Sequence, residues 1–207
     1  MIPLRDETTK SYGRLPIITW LLIGANIYFY FASVPITIEL FGLKASELLA
    51  GKNLINLITS MLLHGSLLHL VFNMWSLWIF GDDVEGHLGS FKYIVLYVLA
   101  GIIGGIAFAL FATRPESLAI GASGAISGVI GAYLVLHPQN RILTLIPLGF
   151  FITTARISAP IFIIIWFILQ FVGFAYAQGA VAYSAHIGGF ITGIIFGIAY
   201  RTPSDKY

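Results

Sequence analysis

Charged residues are sparse along this chain, and the runs between them are long and apolar. A helix needs about 20 mostly apolar residues to cross a bilayer. The 24 uncharged residues between Arg14 and Glu39 supply one such span, and the 29 between Lys52 and Asp82 supply a second with a polar entrance. The 21 between Lys92 and Arg114 and the 24 between Glu116 and Arg141 supply a third and a fourth. The 14 between Arg141 and Arg156 are too few, and with Pro147 and Gly149 among them they read as an interfacial loop. The 44 between Arg156 and Arg201 hold two helices, with a turn at Ala177-Gln178-Gly179-Ala180. The pattern predicts six transmembrane helices joined by short loops. Between Glu39 and Lys52, charged Lys44 and Glu47 alternate with Leu40, Phe41, Leu43, Leu48 and Leu49, as in a short amphipathic surface helix.

Composition agrees and removes other classes. The 207 residues are 58% hydrophobic and 10% charged, against about 45–50% and roughly 25% in an ordinary soluble domain. Disorder needs the opposite balance. There is no cysteine, hence no disulfide framework and no thiolate metal site. A net charge of +2 is too small to point to nucleic acid. The expected class is an all-α, multi-pass membrane protein in contact with the lipid bilayer. Residues 1–14 are expected as a tail and not a cleavable signal, because the first apolar stretch is long enough to span. The helical domain is expected at 15–200, with a second tail at 201–207. With both termini cytoplasmic, Arg5, Lys10, Arg14, Lys92, Arg141, Arg156, Arg201 and Lys206 lie inside. Only Lys44, Lys52 and Arg114 then lie outside, which satisfies the positive-inside rule. The bare six-helix form, without a targeting extension, is what a prokaryotic plasma membrane would hold.

Polar groups in spans are costly and mark sites. The second span carries His64, His69 and Asn73, the last two four apart and so on one face. The fourth opens with Gly121-Ala122-Ser123-Gly124, and the sixth with Ala185-His186-Ile187-Gly188-Gly189. These three spans run in the same direction, from outside to inside. Each motif lies in the first half of its helix, so all three fall in one layer open to the outer side. Gly189, Gly193 and Gly197 recur every four residues on the face of His186, and Gly124, Gly128 and Gly131 flank Ser123. Small residues at that spacing let helix backbones approach in lipid. Ser123 and His186 could then hydrogen-bond as a nucleophile and its base must. Each motif alone has a plainer reading as packing, interhelical glue or a proton relay. A small transporter or channel using the His and Asn cluster therefore stays open, as does a non-catalytic binder of membrane helices. His87 and His137 lie at loop edges and carry no expected chemistry.

His64-x4-His69-x3-Asn73, Gly121-x-Ser123-Gly124 and Ala185-His186-x2-Gly189-x3-Gly193 together resemble the rhomboid family of intramembrane serine proteases. So do Phe80-Gly81-Asp82-Asp83-Val84-Glu85 with Leu88-Gly89, and Leu143-Thr144-Leu145-Ile146-Pro147. The resemblance runs from about Leu54 to Tyr200 and implies the family's minimal six-helix core. It implies that Ser123 is the nucleophile and His186 its base, a dyad with no third carboxylate. His69 and Asn73 would form an oxyanion hole with the Ser123 backbone N–H. His64, Gly121, Gly124, Glu85 and Gly189 would be supporting residues. It implies no cofactor and no metal. Substrates would be membrane proteins whose helix-weakened transmembrane segment enters sideways; no oligomeric state follows. The candidate gate is the fifth helix (Trp166, Phe167, Phe171, Phe174) with the loop from Gln178 to Tyr183. Two departures stand out: Ile55-Asn56 where some members carry Trp-Arg, and Ser127 where some carry an aromatic beneath the catalytic histidine.

Overall fold

The computed structural model describes residues 2–7, 13, 15–148, 151–176 and 182–201. Strand β1 (Ile2–Glu7) leads to helices α1 (Ile17–Ala32) and α2 (Pro35–Phe41), strand β2 (Leu43–Lys44) and helix α3 (Ala45–Leu49). Helix α4 (Asn56–Thr59) and a 3-10 turn (Ser60–Leu62) precede α5 (Leu67–Leu88) and α6 (Ser90–Phe111). Strand β3 (Leu118–Ala119), helix α7 (Ser123–Leu136), strands β4 (Arg141–Leu148) and β5 (Phe151–Ser158), and helices α8 (Ala159–Tyr176) and α9 (Tyr183–Tyr200) complete the order. Among the described residues, α6 and α9 are long and apolar enough to cross a bilayer. Residues 56–62 and α5 make a third such span if the pair, bent by 97°, counts as one. Helices α1, α7 and α8 are apolar but shorter in their described parts. The protein is a mostly helical, multi-pass membrane protein.

Glycine determines how the central helices meet. A Cβ on Gly189 would strike the Gly124 carbonyl, one on Gly193 the Gly128 carbonyl, and one on Gly197 would lie 3.3 Å from the Ala132 carbonyl. These partners are each 65 residues apart, so α7 and α9 run parallel in constant register over two turns. Helix α6 closes the trio: Gly104 lies under the Ala185 carbonyl, and Gly128 under Ala100. Contact this close comes from side chains too small to hold backbones apart.

Glu85 fixes α1 against α5. Helix α1 has no capping side chain of its own. The buried Glu85 carboxylate accepts from the Ile18 N–H (3.0 Å), the Thr19 N–H (2.8 Å), the Thr19 hydroxyl (2.9 Å) and Ser90 Oγ–H (2.7 Å). It thus satisfies the open donors of a helix N-terminus from another element.

Three expectations change. The run between Arg141 and Arg156 is no loop but the β4–β5 hairpin, paired from Arg141 with Ser158 to Leu148 with Phe151. Its Ile and Thr residues favour strands, and Ile142 and Thr144 are fully buried. Residues 2–7, expected as part of a tail, are β1, paired with β4 on the sheet's edge, so the fold is not purely α. Trp75 Nε1–H donates to the Pro3 carbonyl (2.6 Å), the Tyr133 hydroxyl to Asp6 (3.2 Å), and Arg156 pairs with Glu7 (2.9 Å). The expected amphipathic helix over 39–52 is broken: Gly42 ends α2, and β2 pairs with β3 before α3 begins. Beside α3, Asn53 Nδ2–H donates to Glu47 (2.8 Å), which holds that exposed carboxyl below its usual range. The remainder of the expected tails, the turn at 177–180, Gly149, and the gate loop from Gln178 to Val181 lie outside the described residues, as does the Phe174 side chain.

Candidate active site

Ser123 is the first residue of α7, following an abrupt turn in which Gly121 has φ +111°. Only glycine adopts such a φ readily. The Gly121 N–H donates to the Ser60 carbonyl (2.9 Å), anchoring the turn to the 3-10 segment. Because α7 starts here, its first backbone N–H groups lack intrahelical acceptors and the positive end of the helix dipole lies at the serine.

His186 sits in the first turn of α9, half-buried like Ser123. The Ser123 Oγ and His186 Nε2 atoms are 2.8 Å apart. On the other side of the ring, His186 Nδ1 lies 2.8 Å from Gln170 Oε1 on α8. An amide oxygen only accepts, so this contact is a hydrogen bond in the tautomer with the proton on Nδ1, the form whose Nε2 can accept from the Ser123 hydroxyl. The ring also meets Tyr183 edge-on at 6.1 Å. Ser127 does not reach towards the ring; its hydroxyl donates to the Ser123 carbonyl (2.7 Å). The support expected from an aromatic at that position comes from α8 and Tyr183.

His69, Asn73 and His64 gather at the Gly121 turn. A Cβ on Gly121 would lie 2.6 Å from the His69 ring, so its absence is what admits that ring, while Asn73 Nδ2 would stand in ordinary contact at 3.5 Å. Asn73 Nδ2–H donates to His64 Nε2 (3.0 Å), and the His64 and His69 rings meet edge-on at 5.0 Å. Contrary to the expectation from the span, His64 is not on the helix of the other two. Ser66 caps α5, its Oγ accepting from the His69 N–H (3.2 Å), so the helix begins only at Leu67 and His64 belongs to the turn before it. A cavity of about 30 Å³ touches Ser123, Ser60, Gly121 and Gly124, enough to admit a water molecule.

Gly124, next to Ser123, and Gly189, three residues after His186, meet in the α7–α9 seam. Glu85 does not join the site: it caps α1 near the far end of α5, within the helix and not in a loop. His87 and His137 meet each other at 5.6 Å, His137 at the opposite end of α7 from Ser123.

The sequence profile of the Rhomboid domain matches residues 51–203. The chain belongs to the rhomboid family. It is 33% identical over 206 residues to the rhomboid protease GluP of Bacillus subtilis, covering 96% of this chain and 38% of GluP. It is 27% identical over 230 residues to the rhomboid protease AarA of Providencia stuartii, covering 98% of this chain and 79% of AarA. A match to the mitochondrial rhomboid protein 1 of Saccharomyces cerevisiae, 32% identical over 148 residues, covers 69% of this chain and 41% of that protein. This rhomboid thus spans well under half the length of two of these relatives.

One polar residue at the site, Gln170, went unnoticed in the sequence. Gln170 is a lone polar residue on an apolar helix, and the rule that such exceptions mark sites points to it. Asn56, where some members carry Trp-Arg, donates to the Leu40 and Gly42 carbonyls (3.0 Å each) and so ties down the first loop in its own way.

Proposed function

We propose that this rhomboid is an intramembrane serine endopeptidase with Ser123 as nucleophile and His186 as general base. The observation that carries the reading is the 2.8 Å approach of Ser123 Oγ to His186 Nε2 at a helix N-terminus. As Oγ attacks a peptide carbonyl, its proton passes to Nε2, and the carbonyl oxygen becomes an oxyanion. His69, Asn73 and the Ser123 N–H are its donors; one such donor is worth about 2.7–4 kcal/mol in the transition state. Collapse expels the amine, which takes the proton from His186. Water, activated by the same imidazole, then hydrolyses the acyl-enzyme.

The catalytic body is residues 15–200, folded as six spans with both termini cytoplasmic and the site open to the outer face of a prokaryotic plasma membrane. Substrates are membrane proteins with a helix-weakened transmembrane segment, because a stable helix shields its carbonyls. Entry between α5 and α8 is supported by a cavity of about 270 Å³ lined by Phe72, Trp75, Ser76 and Phe80 of α5 and by Phe162, Ile163 and Trp166 of α8.

Purified protein in detergent, mixed with a single-span substrate, should cut it and should bind a fluorophosphonate covalently. Ser123→Ala and His186→Ala should do neither while remaining folded, and chelators should change nothing. Cleavage that survives Ser123→Ala would sink the reading. Capture of the substrate by both forms without any cut would favour a binding protein, and ion flux through the wild type a channel.

A further inference from the structure

Helices α8 and α9 run antiparallel and meet in three successive rungs. Phe167 stacks on Phe190 at 4.2 Å between ring centroids. One turn on, Gln170 meets His186 at 2.8 Å. One turn further, a Cβ on Gly173 would strike the Tyr183 ring, so only glycine lets that ring lie against α8. The residue numbers of the three rungs sum to 357, 356 and 356, the signature of an in-register antiparallel pair. The middle rung is therefore placed by packing on both sides of it.

The Gln170 amide is held as well. Its Nε2–H points back to the Trp166 carbonyl at 3.4 Å, leaving Oε1 to face the imidazole. We propose that Gln170 is a positioning residue for the proteolytic reaction, a neutral third member behind the Ser123–His186 pair that holds His186 in the Nδ1–H tautomer. This inference rests on the protease reading. Its physical content is specific. An imidazole with the proton on Nε2 presents a donor to the serine and cannot take its proton. An acceptor fixed on Nδ1 removes that unproductive form and fixes the plane of the ring. Gln170 carries no charge, so the site gains orientation without burying a carboxylate in a membrane helix.

The test uses the full chain in detergent. ¹⁵N spectra of histidine-labelled protein, with the His186 signals assigned by their loss in His186→Ala, should show Nδ1 protonated and Nε2 bare. Gln170→Leu keeps the bulk and removes the acceptor. It should lower kcat and the fluorophosphonate labelling rate about ten- to hundredfold, less than the ~10⁴-fold that a wrong tautomer costs a charged triad. KM should hold, and the ¹⁵N pattern of His186 should become mixed. Gln170→Glu, which restores an oxygen at the same reach, should recover most of the labelling rate. A wild type that cuts while carrying Nε2–H, or a Gln170→Leu protein with unchanged kcat, overturns the assignment and leaves proteolysis standing. A wild type with Nδ1–H that neither labels nor cuts overturns the reaction itself, and the role with it.

Discussion

Helix α9 is held on its two flanks by different means. Towards α7 the contact is backbone on backbone, with Gly189 and Gly193 pressed on the Gly124 and Gly128 carbonyls. Towards α8 it is made by side chains: a stacked aromatic pair, one polar rung, and a tyrosine over a glycine. Beyond α8 lies the cavity of about 270 Å³ shared with α5. The α7 seam has no slack, so it sets the distance between Ser123 and His186. The α8 flank touches His186 through side chains that can rotate, and α8 also borders that cavity. Separating α9 from α7 would lose backbone packing along the whole seam, whereas moving α8 away from α9 gives up side-chain contacts only. The proposed reacting pair thus bridges the α7–α9 seam, while the proposed entry route is walled by α5, α8, β1 and Ile130 of α7.

The largest effect should come from breaking the rigid flank. Gly189→Val drives a branched side chain into the Gly124 carbonyl, where neither backbone can yield. A loss of about 3 kcal/mol is expected from overpacking of this kind. Thermal unfolding in detergent should show a markedly lower Tm, and fluorophosphonate labelling should vanish with the fold. A Gly189→Val protein with the wild-type Tm would mean that the seam is not the rigid side.

The opposite flank can be locked instead of broken. The chain has no cysteine, so Ser76→Cys with Phe162→Cys places a unique thiol pair on the two walls of the cavity. Joined by a short thiol cross-linker, this variant should lose cleavage of a transmembrane substrate and keep fluorophosphonate labelling, since the small reagent needs no gap between α5 and α8. Undiminished cleavage after cross-linking would remove α8 from the entry route.

The two flanks were not equally legible in the sequence. The α7 side was readable because its information is periodic: glycines three or four residues apart on both helices, with a serine next to one and a histidine three residues before another. The 2.8 Å approach follows from that spacing once the helices run parallel. The α8 side was not. Gaps between charges locate spans well, but they do not register a neutral amide, so Gln170 passed as part of an apolar run. The same method misread the hairpin. Fourteen uncharged residues are too few for a crossing helix, yet the Ile and Thr content of 141–158 favours strands. The partner that completes its edge, β1, comes from more than 130 residues away, and nothing local in Ile2–Glu7 announces it. The position of His64 was lost for a smaller reason: Ser66 caps α5 two residues after it.

A smaller effect is expected at Asn73 of α5. It touches the Gly121 turn and His64, not the seam, so Asn73→Ala should leave the fold intact. On the proposed mechanism this removes one oxyanion donor, which lowers kcat by about 10²–10³-fold and leaves His69 and the Ser123 N–H to sustain the residual rate. Single-turnover kinetics with unchanged KM would support this. A fall in Tm as large as that of Gly189→Val would instead make Asn73 part of the rigid flank.

The smallest effect should come from the strand beneath the gap. Trp75 reaches across from α5 and donates its indole N–H to the Pro3 carbonyl of β1, and Ile2, Pro3 and Trp75 all line the cavity. Trp75→Phe keeps an aromatic ring in the wall and removes that one bond, worth about 1 kcal/mol net. Trp75 is partly exposed and lies outside the α7–α9 seam. Its loss should lower Tm by a few degrees and leave fluorophosphonate labelling at the wild-type rate. The contrast with Gly189→Val is the point of the measurement. Both substitutions alter a single contact between elements, but one contact is backbone pressed on backbone and the other is a tether across open space. Labelling that fell with Trp75→Phe as it does with Gly189→Val would mean that strain on the cavity side reaches the serine, and the division between the two flanks would fail.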